Sequence, residues 1–302
     1  MIKGIAAGLA AGALWGLVFV APRMTPGLSA VDLAAGRFAS YGALSLVLML
    51  VWRPSLRQRL PTFQQALAAF GLSLLGFTGY YLLLVLSIAD MGGEVPTLII
   101  GTIPIAVMLI GKPAGLQWSQ LWPGLVLTLM GLLLMASSSW PHGAASVEPA
   151  GAHFWRGLIF ALLAMACWTV FALANAAWLR RHPDVSATVW ANWLGVATGL
   201  GAVLIWFFAG SPLNVLLVTE SIGFIAMICI ATGVGSAWLA TVLWNIASQR
   251  LSTSLCGQLI VSETVFALVY SFLWDGHWPA PLQLLAAALF VAGILASIRA
   301  HR

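Results

Sequence analysis

Ten stretches of this chain run about 18 to 29 residues each with almost no charge, separated by short polar or basic punctuation. A helix rises ~1.5 Å per residue, so ~20 apolar residues span the ~30 Å hydrocarbon core of a bilayer. This pattern predicts an all-α polytopic membrane protein with spans at roughly 4–21, 33–52, 64–88, 95–111, 119–137, 157–179, 186–209, 221–248, 253–273 and 281–298. Composition agrees. Only 7% of the 302 residues are charged and 61% are hydrophobic, against roughly 25% charged in soluble domains. The net charge of +5 suggests a nucleic-acid partner only superficially, because the cations are scattered between apolar spans and form no patch. The partner implied is the lipid bilayer, with no nucleic acid.

The punctuation sets the orientation. With the N-terminus inside, Lys3, Arg53, Arg57, Arg59, Lys112, Arg180, Arg181, Arg250, Arg299 and Arg302 all fall on the cytoplasmic side. Only Arg23 and Arg156 fall in outer loops, with Arg37 just inside span two, so the positive-inside rule places both termini in the cytoplasm. Asp32, Asp90, Glu94, Glu148, Glu220 and Asp275 mostly fall outside. Residues 1–21 resemble a signal peptide, but Ala21 to Met24 lacks a small-x-small cleavage pattern, and the segment is expected to be a mature helix. Cys167, Cys229 and Cys256 lie in separate apolar spans with no CxxC, as packing residues would. No cofactor or metal site is expected.

The longest loop, from Ser138 to Trp155, carries Ser138-Ser139, Pro141, Gly143 and Pro149. It divides the chain into a first five-helix repeat (1–137), a linker (138–155) and a second five-helix repeat (156–302). The halves echo each other: Lys3-Gly4 precedes Trp15 as Arg156-Gly157 precedes Trp168, each Trp eleven residues past its Gly. A shift of 160 residues superposes Ile100 on Ile260, Trp118 on Trp278, and Ala136-Ser137 on Ala296-Ser297. An odd number of spans per half inverts the second copy. Two inverted five-helix repeats, with a substrate site near midplane between them, are the plan of secondary transporters.

Short motifs then bring a family into view. Ala-Leu-Trp-Gly in span one (Ala13 to Gly16), Gly36-Arg37-Phe38 in span two and Ser262-Glu263-Thr264-Val265-Phe266-Ala267 in span nine resemble the drug/metabolite transporter superfamily, EamA type. Where family members often carry Pro after the span-nine Glu, this chain has Thr264, while Pro104 keeps the proline of the first half. Within the superfamily the chain looks most like the amino-acid exporters, the aromatic amino-acid (YddG) type among them. Thr102 and Ile103 stand where those exporters often carry aromatics. The resemblance implies export across a bacterial-type inner membrane by a protein functional as a monomer.

Few polar groups can carry that chemistry. Glu263 is the only acid well inside a span, and an ionisable group at that depth faces a cavity or a partner by default. It can contact substrate or a proton, or pin span nine to a neighbour. Arg37, about one turn inside span two, can grip a carboxylate in bidentate geometry. It can equally snorkel to the interface or pair with Asp32 or Glu94. Belts at the membrane surface explain Trp52, Trp118, Trp122, Trp155, Trp274 and Trp278. Trp15, Tyr80, Tyr81, Trp168, Trp190, Trp193, Trp238 and Trp244 sit deeper, where they either pack or stack on a planar ligand. Trp15 and Trp168 are the expected pseudo-symmetric cavity pair. The amides Asn175, Asn192 and Asn245 serve as interhelical glue or line a substrate path.

Glycines and prolines indicate mechanics. Gly4, Gly8, Gly12 and Gly16 form a bare stripe on span one, repeated by Gly195 and Gly199 in span seven. Pro96 and Pro104 in span four, and Gly233 with Gly235 in span eight, are the expected kinks. No HExxH, Walker sequence, GxSxG, clustered carboxylates or deep His appears, so an ATP-driven pump or a protease is poorly supported; the alternative of another class, a polytopic membrane enzyme acting on lipid or prenyl substrates, would need paired acids or a His–acid set at one membrane face. The expected substrate is a small organic solute, with a neutral or aromatic amino acid fitting an aromatic cavity with one Arg and one Glu. A lipophilic cation countered by Glu263 is the alternative.

Overall fold

The computed structural model describes residues 1–51, 60–92, 94–139, 152–217 and 221–301. Trp52, Arg53, Arg57, Arg59, Pro141, Gly143, Glu148, Pro149, Glu220, Arg302 and the side chain of Glu94, invoked above for loops and charge placement, lie outside the described residues. Those described are helical and turn structure. Among the described residues, nine helices are long and apolar enough to cross a membrane: α1 (Ile2–Met24), α2 (Ala30–Val51), α3 (Phe63–Met91), α5 (Trp118–Ser137), α6 (His153–Arg181), α7 (Ala187–Ala209), α8 (Ile222–Arg250), α9 (Thr253–Asp275) and α10 (Pro281–Ala300). The remaining predicted span is a shorter apolar helix, α4 (Val95–Ile110).

Helix ends follow local chemistry. Thr62 and Gln65 form a reciprocal capping box at the start of α3, satisfying two orphan N–H groups. Ser186 caps α7 and Ser252 caps α9 in the same manner, each side chain accepting from a backbone N–H three residues on. Gly276 closes α9 in the left-handed conformation (φ 68°), which glycine adopts without strain.

The helices alternate in direction. Lys3, Lys112, Arg180, Arg181, Arg250 and Arg299 consequently gather at one end of the bundle, the N-terminal face. Asp32, Asp90 and Asp275 gather at the opposite face. There Arg23 and Arg156, the two cations expected outside, make ion pairs: Arg23 with Asp275 at 2.7 Å and Arg156 with Asp90 at 2.6 Å.

Lipid tails give apolar helices no hydrophobic reason to associate, so close packing must do it. Extensive contacts join α2 to α7 and α8, α3 to α6, α5 to α10, α1 to α8 and α9, and α4 to α9. Small residues permit each approach. A Cβ added at Gly199 would lie 2.8 Å from the Gly42 Cα, so Gly199→Leu would force α2 and α7 apart. The span-one stripe lies against α8 and α9, with Gly8 facing Leu259 and Gly12 facing Ser262. Polar pins add specificity: buried Gln258 donates to Thr128 at 2.9 Å and accepts from Ser297 at 3.1 Å, tying α9 to α5 and α10.

Five helices lose regular geometry at mid-depth. α1 tightens to a 3₁₀ turn at Leu17–Phe19. α3 and α8 contain π-helical segments at Leu74–Thr78 and Gly233–Leu239. α4 breaks at Thr102, between Gly101 and Ile103, and α9 breaks at Val261, between Ile260 and Ser262. Pro104 stands just past the α4 break, whereas Pro96 occupies the first turn of α4, where a missing N–H disrupts nothing. The α9 break carries no Gly or Pro and has no counterpart among the predicted kinks.

Candidate functional site

Irregular backbone at membrane depth is tolerated where it is buried in protein or lines a cavity. The irregular segments of α3 and α8 meet in one cluster through Phe77 and Trp238, and the breaks of α4 and α9 share another through Ile103 and Val261.

Glu263 lies in the first turn of the half-helix that follows the α9 break, at the positive end of that helix dipole. Arg37 comes from α2, and its electrostatic neighbours are Tyr81, Tyr80, Glu263 and Cys229. Arg37 and Glu263 are electrostatic neighbours, but they are not among the described ion pairs within 4 Å. The guanidinium carbon of Arg37 sits 4.5 Å from the Phe38 ring centroid, and its buried Nε has no hydrogen-bond partner in the protein. The expected alternative, a pair between Arg37 and Asp32, does not form. Residues five apart point to different sides of a helix. Asp32 instead accepts from Ser29 at 2.6 Å and from the Ser211 hydroxyl at 2.6 Å, clamping α2 to the end of α7.

Tyr80 and Tyr81 follow the π-helical segment of α3, and both are half-buried. Tyr81 donates to the Ala30 carbonyl at 3.0 Å and meets Phe38 edge-on at 6.0 Å. Phe77 bridges Phe38, Tyr41 and Phe171. Sequence reasoning missed Phe38 and Phe77 as members of this wall, because a Phe in an apolar span carries no distinguishing signal.

Beneath this group lies a tryptophan cluster. Trp15 and Trp168 meet edge-on at 6.2 Å, and Trp244 lies 5.4 Å from Trp15 and 6.2 Å from Trp168. Trp15 and Trp168 are half-buried; Trp244 is 2% exposed, and its indole N–H has no acceptor in the protein. Toward the N-terminal face the packing becomes complete: Ala11, Val107, Ala247 and Leu259 are all fully enclosed.

The remaining predicted residues sit inside that closed half. Trp190 donates to Asn175 at 2.7 Å, Asn175 donates to Asn245 at 3.0 Å, and Asn245 donates to the Ala187 carbonyl at 3.3 Å. All three side chains are fully buried, and Trp190 stacks on Trp178 at 3.5 Å. Asn192 stands apart from them and accepts from Trp238 at 2.8 Å, joining α7 to the π-helical segment of α8. Gly233 abuts the Arg37 carbonyl, where a Cβ would come within 2.6 Å, while Gly235 faces nearly open space. Arg37, Tyr80, Tyr81 and Glu263 therefore form one group, Trp15, Trp168 and Trp244 a second, and Asn175, Trp190 and Asn245 a sealed third. Among the described residues no three His, Cys, Asp or Glu side chains converge as metal ligands would.

Known proteins give the chain its family. Inner membrane protein YtfF of Escherichia coli (strain K12) is 31% identical over 99% of this chain and 96% of its own length. A probable terminal-alkyne amino-acid exporter of Streptantibioticus cattleyicolor is 27% identical over 51% of this chain and 50% of its own. One crystal structure superposes with a TM-score of 0.77 over 99% of this chain and 98% of that one, at 18% identity, so the likeness is of fold alone. The EamA-like transporter family profile matches residues 155–299. The chain belongs to the EamA-like transporters of the drug/metabolite transporter superfamily, and is a multi-pass inner membrane protein.

Proposed function

We propose that this transporter exports neutral or aromatic amino acids by alternating access, through a midplane cavity between two inverted five-helix repeats. The observation that carries this reading is that Arg37 and Glu263 are electrostatic neighbours without an ion pair, with Tyr80 and Tyr81 near Arg37, in a bundle that also holds the Trp15–Trp168–Trp244 cluster. A zwitterion brings an oxyanion for the guanidinium and an ammonium for the carboxylate. Its side chain then stacks on aromatic faces.

Paired irregularities support the repeat, with residues 1–137 and 156–302 as its copies. The π-helical segments fall in the third helix of each half, and the breaks fall in the fourth. The helix pairings obey the same two-fold relation, α3 with α6 mirroring α8 with α1. The gathering of basic residues at the N-terminal face supports cytoplasmic termini. The tight packing on that side, against half-buried aromatics beyond it, supports an outward-facing state. A relative named as an amino-acid exporter supports the substrate class. A lipophilic cation fits less well, because Arg37 beside Glu263 would repel it.

Reconstitution in liposomes with labelled L-phenylalanine and a panel of amino acids tests the reading. Saturable flux accelerated by substrate on the far side is expected. Flux that is linear in concentration, or absent for every amino acid, would overturn it.

A further inference from the structure

A cleft of about 650 Å³ opens at the N-terminal face, between the end of α6, the start of α7 and the end of α8. Its lining includes Arg180, Arg250, Gln249, Ser186, Thr188 and Ile246, two guanidinium groups with no acid among the lining residues. Neither arginine belongs to a described ion pair. Arg180 is held in place by Thr253, to which it donates at 3.2 Å, and its remaining donors stay available. The α7 N-terminus, capped by Ser186, adds the positive end of a helix dipole to the same space.

The rear of this cleft is built by the polar chain already described. Gln249 donates to the Val185 carbonyl at 3.2 Å, and Asn245 donates to the carbonyl of Ala187, itself a lining residue. From Asn245 the bonds run to Asn175 and Trp190. One residue before Asn245 stands Trp244, with its unaccepted indole N–H, in contact with Trp15 and Trp168. Gln249, Asn245 and Trp244 thus lead along α8 from the cleft to the tryptophan cluster, with hydrogen bonds as far as Asn245.

We propose that this cleft is the cytoplasmic loading site for the substrate, where Arg180 and Arg250 capture its carboxylate before the amide chain opens. The inference rests on the export reading above. The connection to the amide chain favours a transported carboxylate over a lipid phosphate, which would share the oxyanion chemistry. Loading on these two cations would concentrate amino acids at the closed side.

The test places a reporter cysteine at Thr188, or at Ile246 if the first variant is poorly folded, with Cys167, Cys229 and Cys256 replaced by Ser. The full-length protein is studied in phosphatidylcholine nanodiscs. Rates of modification by anionic and cationic methanethiosulfonates are compared with their rates on a free thiol. The anionic reagent should be favoured on the order of tenfold, as expected for two nearby cations in a partly shielded site. L-Phenylalanine should slow the reaction, phenethylamine should not, and Arg180→Gln with Arg250→Gln should abolish both effects. Equal relative rates for the two reagents would overturn the proposal. So would slowing by added phosphatidylglycerol but not by L-phenylalanine. Parallel flux assays separate the two failures: amino acids that are transported yet give no protection refute the cleft alone, and absence of all amino-acid flux refutes the export reading with it.

Discussion

Asn245→Leu should loosen the closed side of the transporter by a calculable amount. The substitution keeps side-chain bulk but removes the bond from Asn175 at 3.0 Å and the bond to the Ala187 carbonyl at 3.3 Å. Interhelical hydrogen bonds in membranes average about 0.6 kcal/mol and reach about 1.7 kcal/mol. Two of them, both fully enclosed, therefore hold the closed state by about 1–3 kcal/mol relative to an open state in which water supplies the missing partners. That energy corresponds to an increase of about 5- to 150-fold in the open population. The assay is the modification rate of a cysteine at Ser248, one turn from Asn245 and 1% exposed, by a membrane-impermeant thiol reagent in an otherwise cysteine-free protein. In the regime where opening is rare and fast, this rate follows the open population. Asn175→Leu combined with Asn245→Leu should raise the rate by less than the product of the single effects, because the pair shares one bond. A change below twofold in Asn245→Leu would show that the amides do not hold this side shut.

Glu263→Gln, which keeps shape but cannot ionise, should flatten the pH dependence of flux at normal expression; an unchanged profile and rate would remove Glu263 from the transport mechanism. Ala at Trp15 or Trp168 should weaken apparent affinity for aromatic substrates by about 1–3 kcal/mol, the scale of stacking on one indole, and unaltered substrate preference in folded protein would make both residues packing elements only. A cysteine at Ala280 should react with an external impermeant reagent while one at Gly115 is spared, and the reverse pattern would invert the topology.

Much of this architecture was legible because a bilayer imposes lengths. Any helix crossing it needs about 20 apolar residues, so the spans announced themselves, though α4 is shorter than its neighbours. The matching offsets of Trp15 and Trp168 from Gly4 and Gly157 marked them as a pair, but not that their rings would meet. The break beside Pro104 had a chemical cause visible in the chain, and the loosened segment of α8 had Gly233 and Gly235. The α9 break at Val261 had neither Gly nor Pro beside it to betray it. Partner choice was the least legible feature. Asn175 and Asn245 are 70 residues apart, and which face each presents depends on rotations that packing alone sets. Arg37 offered Asp32 as an apparent partner, but the helix turns them apart and Ser211 supplies what Asp32 needs.

The central claim is that Arg37 and Glu263 grip the two ends of a zwitterion, and competition by three isosteres tests it most directly. Inhibition of L-phenylalanine flux by L-phenylalanine, phenethylamine and 3-phenylpropionate is measured in the unmodified protein, in Arg37→Gln and in Glu263→Gln. The unmodified protein should favour the zwitterion over both analogues by at least about tenfold, the scale of one charge-assisted hydrogen bond. Arg37→Gln should erase only the discrimination against phenethylamine, and Glu263→Gln only that against 3-phenylpropionate. Equal inhibition by all three compounds in the unmodified protein, or discrimination that survives both substitutions, would contradict the account.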